Sequence, residues 1–129
     1  MAKKNYSKDV WLPSLNDVRQ FEMLYPMIQS DLNEIRELSK KKQDEPLNSF
    51  KVKMINKKLT QIKDILKQES SIQYLELFDE DSLPTNSDAV LMVSQFINAM
   101  TQFRTKYFIS DGTDWDFFGE KNTWKTSDV

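Results

Sequence analysis

Three stretches of this chain place apolar side chains at alternating steps of three and four residues, and no other feature restricts its fold as much. The first runs Val18, Phe21, Tyr25, Ile28, Leu32, Ile35. The second runs Val52, Ile55, Leu59, Ile62, Leu66, and the third Val93, Phe96, Met100, Phe103, Tyr107. A half-buried strand alternates every second residue. A 3-4-3-4 step instead draws one stripe along a helix that packs lengthwise on another helix. The sequence therefore predicts an all-α fold, an antiparallel bundle of three long helices with coiled-coil-like packing.

Glycine usage points the same way. The only glycines are Gly112 and Gly119. Tight β-hairpin turns and phosphate-cradling loops both draw on glycine, so its absence up to residue 111 argues against either. The chain has 129 residues, 39% of them hydrophobic and 12% aromatic. That is one domain's worth, large enough to bury a core without cross-links and too apolar for a disordered chain.

Local signals set the expected boundaries. Ser14 is a good N-cap, with Asp17 three residues on, where negative charge suits the helix start. Pro26 interrupts the first stripe, because a proline inside a helix removes a hydrogen bond and crowds the preceding turn. The unbroken stripe favours one helix kinked at Pro26 over two shorter ones. Lys40, Lys41 and Lys42 suit a helix C-terminus, and Pro46 fits the first position of a second helix reaching Glu69. The short connection makes these two helices antiparallel neighbours. Residues 72–78 read as one or two helical turns or a short extended piece, and Asp79-Glu80-Asp81-Ser82-Leu83-Pro84 reads as a loop. A third helix starts between Thr85 and Asp88 and ends near Ser110, with Gly112 as the stop. The organisation is thus a single domain over 1–129: an N-terminal arm 1–13, a bundle 14–110, and an aromatic, acidic C-terminal tail 111–129, packed on the bundle or flexible. A short fourth helical element comes from 72–78, from the tail, or from a second subunit.

Composition removes much chemistry. There is no cysteine and no histidine. Thiolate nucleophiles, Ser-His and Cys-His hydrolases, and histidine- or cysteine-ligated zinc all need one of them. No apolar run approaches the ~20 residues of a membrane span. Met1-Ala2-Lys3-Lys4-Asn5 is not followed by the apolar stretch of a signal peptide. The expectation is a cytoplasmic, non-enzymatic protein with no cofactor and no membrane contact.

Charge is uneven although the net is only −2. Residues 46–69 hold six lysines against Asp64 and Glu69. Residues 70–88 hold Glu76, Asp79, Glu80, Asp81 and Asp88 and no base. The hairpin of helices one and two gathers Lys40, Lys41, Lys42, Lys51, Lys53, Lys57 and Lys58 at one end. Such a cluster would suit phosphates, but the set lacks arginine and is set against Glu37, Asp44 and Glu45, so a solvated face is the simpler reading. The acidic loop Asp79, Glu80, Asp81 does not fit an EF-hand, which needs a central glycine and a terminal glutamate. It reads as a solubilising loop. In the tail, Trp115, Phe117, Phe118 and Trp124 lie among acids, a composition that docks into grooves; the competing reading folds Trp115, Phe118 and Trp124 back over the open end of the bundle. Catalysis by carboxylates alone would fall to Glu22, Asp31, Glu34 and Glu37 on helix one, which read as surface groups.

Helix one is apolar beyond its stripe at Met23, Leu24, Met27 and Leu38, and helix three at Val90, Leu91, Met92, Ile97 and Phe108. Helices apolar over a wide arc are covered on more than one side, which predicts self-association, as in a dimer. The functional expectation is a protein–protein interaction module: an accessory subunit, a regulator, or an inhibitor or immunity-type partner. The alternative is a nucleic-acid-associated protein using Lys40, Lys41, Lys42, Lys53 and Lys57.

Overall fold

A computed structural model describes residues 10–109 and 123–128. Its elements in chain order are α1 (Leu15–Lys42), α2 (Ser49–Ile65), a 3-10 turn (Ser70–Tyr74), α3 (Asn86–Tyr107) and a two-residue antiparallel pairing of β1 (Phe108–Ile109) with β2 (Thr123–Trp124). The fold is all-α, with three helices packed around one core.

All three stripes face that core. Every residue of the second and third is buried, and in the first only Tyr25 is partly exposed, with Leu24 taking a buried place beside it. Ser14 opens α1 with a reciprocal cap. Its Oγ accepts the Asp17 N–H at 3.0 Å, and Asp17 Oδ2 accepts the Ser14 N–H at 3.0 Å; such caps contribute about 1 kcal/mol. Pro26 lies inside α1, which runs through it as one helix. Pro26 and Glu22 are both exposed, so the carbonyl that the proline leaves without an N–H partner lies on the solvent side of α1.

Helix order follows from paired residues. Asp31 meets Lys58 and Glu34 meets Lys51, so α2 runs against α1. Phe21 stacks on Phe103, and Asn86 reaches the Lys42 carbonyl, so α3 also runs against α1. Helix α1 packs directly on both others. Leu75 and Phe78 are buried in the same core, and Asn56 of α2 holds this strap in place. Asn56 Oδ1 accepts the Phe78 N–H at 3.0 Å, and its Nδ2 donates to the Phe78 carbonyl at 3.0 Å. One amide side chain thus mimics a backbone partner for a buried residue.

Several boundaries differ from the sequence expectation. Helix α2 starts at Ser49, not Pro46, because Asn48 caps it, accepting from the Phe50 and Lys51 N–H groups at 2.8 and 3.2 Å. Residues 45–47 instead run alongside the start of α3: the Leu47 N–H donates to the Pro84 carbonyl at 2.7 Å and the Asn86 N–H to the Glu45 carbonyl at 2.8 Å. Helix α2 stops at Ile65 rather than Glu69, and the fourth helical piece is the 3-10 turn Ser70–Tyr74 rather than 72–78. Helix α3 ends at Tyr107 rather than near Ser110, because Phe108 and Ile109 turn extended and pair with Thr123 and Trp124. Residues 10–13 of the N-terminal arm pack on the bundle: Trp11 lies edge-on to Tyr107 with centroids 5.5 Å apart, and the Pro13 carbonyl accepts the Ser127 N–H at 2.9 Å.

At the end of α3, the Tyr107 hydroxyl donates to Glu69 Oε2 at 2.9 Å, and Lys106 Nζ donates to Glu69 Oε1 at 3.3 Å. Burial pushes the Tyr107 phenol above its ordinary range, opposed by the Lys106 ammonium and helped by Glu69. The Lys106 ammonium is raised too, first by its contact with Tyr107 and then by Glu69. Both groups hold their proton more tightly when folded. Their contribution to stability is complete below the unfolded values of about 10 and is lost as pH rises through the folded ones. An ultraviolet tyrosinate titration therefore shows a component ionising above the ordinary tyrosine range, and Tyr107→Phe removes it.

Candidate interaction surface

The two rows of side chains where α1 and α2 meet leave an open groove of ≈ 350 Å³. Its floor is Ile35 and Ile55, both buried. Its apolar wall is Phe50 and Met54, one helical turn apart on α2, and Phe50 is 69% exposed. Its rim is charged: Lys51 donates to Glu34, and Lys58 Nζ donates to Asp31 Oδ2 at 2.7 Å. The Asp31–Lys58 pair is the more enclosed, its side chains 21% and 17% exposed. One turn further along α1, Met27 and Pro26 extend the apolar strip beside Asp31 and Lys58, with the exposed Met23 beyond them.

Local sequence explains this layout. On α2, Phe50, Met54 and Lys58 follow one another every fourth residue, a row next to the buried stripe rather than on it. On α1, Met23, Met27 and Asp31 form the equivalent row. Leu47 and Ile65 are buried, whereas Met54 is exposed. Phe50 was not singled out by the periodicity, since it precedes the stripe. The available signal was the pairing of two large apolar residues, 50 and 54, off the stripe.

No protein-family model, no curated protein and no solved structure matches this chain.

The lysines expected at one end of the bundle are divided among three places. Lys40 pairs with Glu37 at 3.0 Å and Lys42 with Glu45 at 3.8 Å, on the surface at the end of α1. Lys51 and Lys58 pair across the groove. Lys53 and Lys57 lie on another side of α2, lining a shallow pocket with Leu77 and Glu80. Among the described residues, Lys41, Lys53 and Lys57 make no ion pair.

The acidic loop is a turn that satisfies itself. Asp79 Oδ1 accepts the Asp81 and Ser82 N–H groups at 2.8 and 2.9 Å. Those bonds, Ser82 first, hold the Asp79 carboxyl below its ordinary value. Glu80 accepts from Asn56 at 3.3 Å. Among the described residues, no three carboxylates converge where a metal ion would sit. The five carboxylates of α1 are each engaged: Asp17 accepts the Ser14 N–H, Glu22 accepts the Trp124 indole N–H at 3.1 Å, and Asp31, Glu34 and Glu37 pair with lysines.

Of the tail aromatics, Trp124 packs on the bundle. Its ring lies 5.2 Å from Phe21 and 5.4 Å from Phe108. Trp115, Phe117 and Phe118 lie outside the described residues. Among the described residues, no helix is long and apolar enough to cross a membrane.

Proposed function

We propose that this protein is a non-enzymatic protein–protein interaction module, acting in the cytoplasm, and that the α1–α2 groove is its docking surface. The observation that carries this reading is Phe50, a large aromatic held mostly in solvent beside an apolar floor and a charged rim. Interfaces concentrate binding energy in such aromatic anchors, while rim charges set orientation and exclude wrong partners. Exposed methionines beside the groove add an adaptable, polarizable surface.

The nucleic-acid alternative has less support. Of the five lysines behind it, Lys40 and Lys42 sit on carboxylates. A phosphate would have to displace those partners, and Lys53 and Lys57 share their pocket with Glu80. The test is capture from lysate of the native host, with and without nuclease. The expected result is a stoichiometric protein partner that survives nuclease and is lost when Phe50→Asp replaces the wild type. Capture that nuclease abolishes contradicts this reading and supports the alternative.

A further inference from the structure

Resting on that reading, we infer that the groove takes a second copy of this chain, through a two-fold interface built on the exposed rows of α1 and α2. The charge of the rim suits a second copy. The rim carries Asp31 and Glu34 against Lys51 and Lys58, two acids and two bases already paired. A face with no net charge and alternating signs meets its own copy without repulsion, and each carboxylate finds a lysine on either chain. A second exposed aromatic face among the described residues fails this condition. Tyr74 and Leu91 lie beside Glu76, with no base among the residues that line this face. A second copy there would set acid against acid.

The shape of the groove suits it too. A two-fold axis lying in the interface, running across the helices at the Asp31–Lys58 pair, brings Phe50 of one copy to the Met23–Met27 end of the other. An aromatic ring against thioethers is a favourable contact. The groove of ≈ 350 Å³ also has room for a ring, since a cavity of about 150 Å³ already admits benzene. The isologous arrangement uses each contact twice.

The area of the face limits the affinity. Helix α2 has 17 residues, about 25 Å of length, and two adjacent helices present a face about 20 Å across. The projected face is roughly 500 Å² per copy, below the ~800 Å² per partner of a tight complex. The dimer is therefore weak and reversible, with dissociation in the micromolar range or above.

Sedimentation velocity on the full chain, from about one to several hundred micromolar, tests this at the concentrations such an affinity requires. The wild type moves from monomer to dimer with loading. Phe50→Asp weakens the dimer by more than about a hundredfold, because the interface holds Phe50 twice. Tyr74→Asp, a change at a second exposed aromatic, dimerises as the wild type does. Circular dichroism melting of both variants confirms that each is folded. A wild type that stays monomeric throughout overturns the inference, as does a Phe50→Asp protein that dimerises normally. The lysate capture separates the two claims. A monomer whose captured partner still depends on Phe50 leaves the groove as a docking site for a different protein. A monomer with no Phe50-dependent capture removes both.

Discussion

Phe103→Ala lowers the stability of the protein by about 3–5 kcal/mol, the range for deleting a buried phenyl group. Phe103 has no exposed surface and lies where four separate pieces of chain converge. Its ring is 5.5 Å from Phe21 on α1, 4.9 Å from Tyr107 one turn on, 6.4 Å from Trp11 before α1, and 6.1 Å from Trp124 in β2. Truncation leaves a cavity that none of these rings can fill without leaving the others. In thermal unfolding the midpoint falls by roughly 10–25 °C. A shift of only a few degrees would mean that Trp11 and Trp124 collapse into the space, and that the two terminal segments are held less firmly than the aromatic contacts imply.

Asn56→Ala is the second large effect. Asn56 is buried and supplies both a donor and an acceptor to the Phe78 backbone. Alanine leaves a buried N–H and a buried carbonyl without partners, which costs about 2–4 kcal/mol in all. Asn56→Asp separates polar from steric causes. A carboxylate still accepts from the Phe78 N–H, but it faces the Phe78 carbonyl and Glu80. Its folded pKa is therefore raised, so stability is lost as pH rises and partly returns toward pH ~4. Urea unfolding of the two variants at neutral and acidic pH reads this out. An Asn56→Asp protein equally stable at both would show that the strap from Leu75 to Phe78 is held by packing alone.

These two residues also mark what the sequence makes legible. Phe103 belongs to a 3-4-3-4 stripe, and a stripe reports which side chains face inward whatever the neighbour is. Burial of the stripe residues, the Ser14 cap and the start of α3 were readable for that reason. Asn56 was not, because its role depends on Phe78, 22 residues away, and an isolated polar residue beside a stripe carries no trace of its partner. The same holds for Pro46. Its local preference for a helix start is real, but Asn48 caps the helix and residues 45–47 pair with the start of α3, a contact between segments distant in sequence. Phe50 fell outside the stripe by position, yet an exposed phenylalanine four residues before an exposed methionine is a readable anomaly. The lysine cluster shows the limit of counting charges along a chain: helical geometry sends Lys51 and Lys58 to α1 carboxylates and Lys53 and Lys57 to the pocket of Glu80.

The central claim is that the α1–α2 groove, and not the lysine-rich surface, is what this protein presents to its partners. Paired capture from lysate compares the two directly, using wild type, Phe50→Asp, and the double variant Lys53→Glu with Lys57→Glu as baits. The account predicts that Phe50→Asp loses the partner while the lysine double variant retains it. Retention by Phe50→Asp, with loss from the lysine variant, would contradict it.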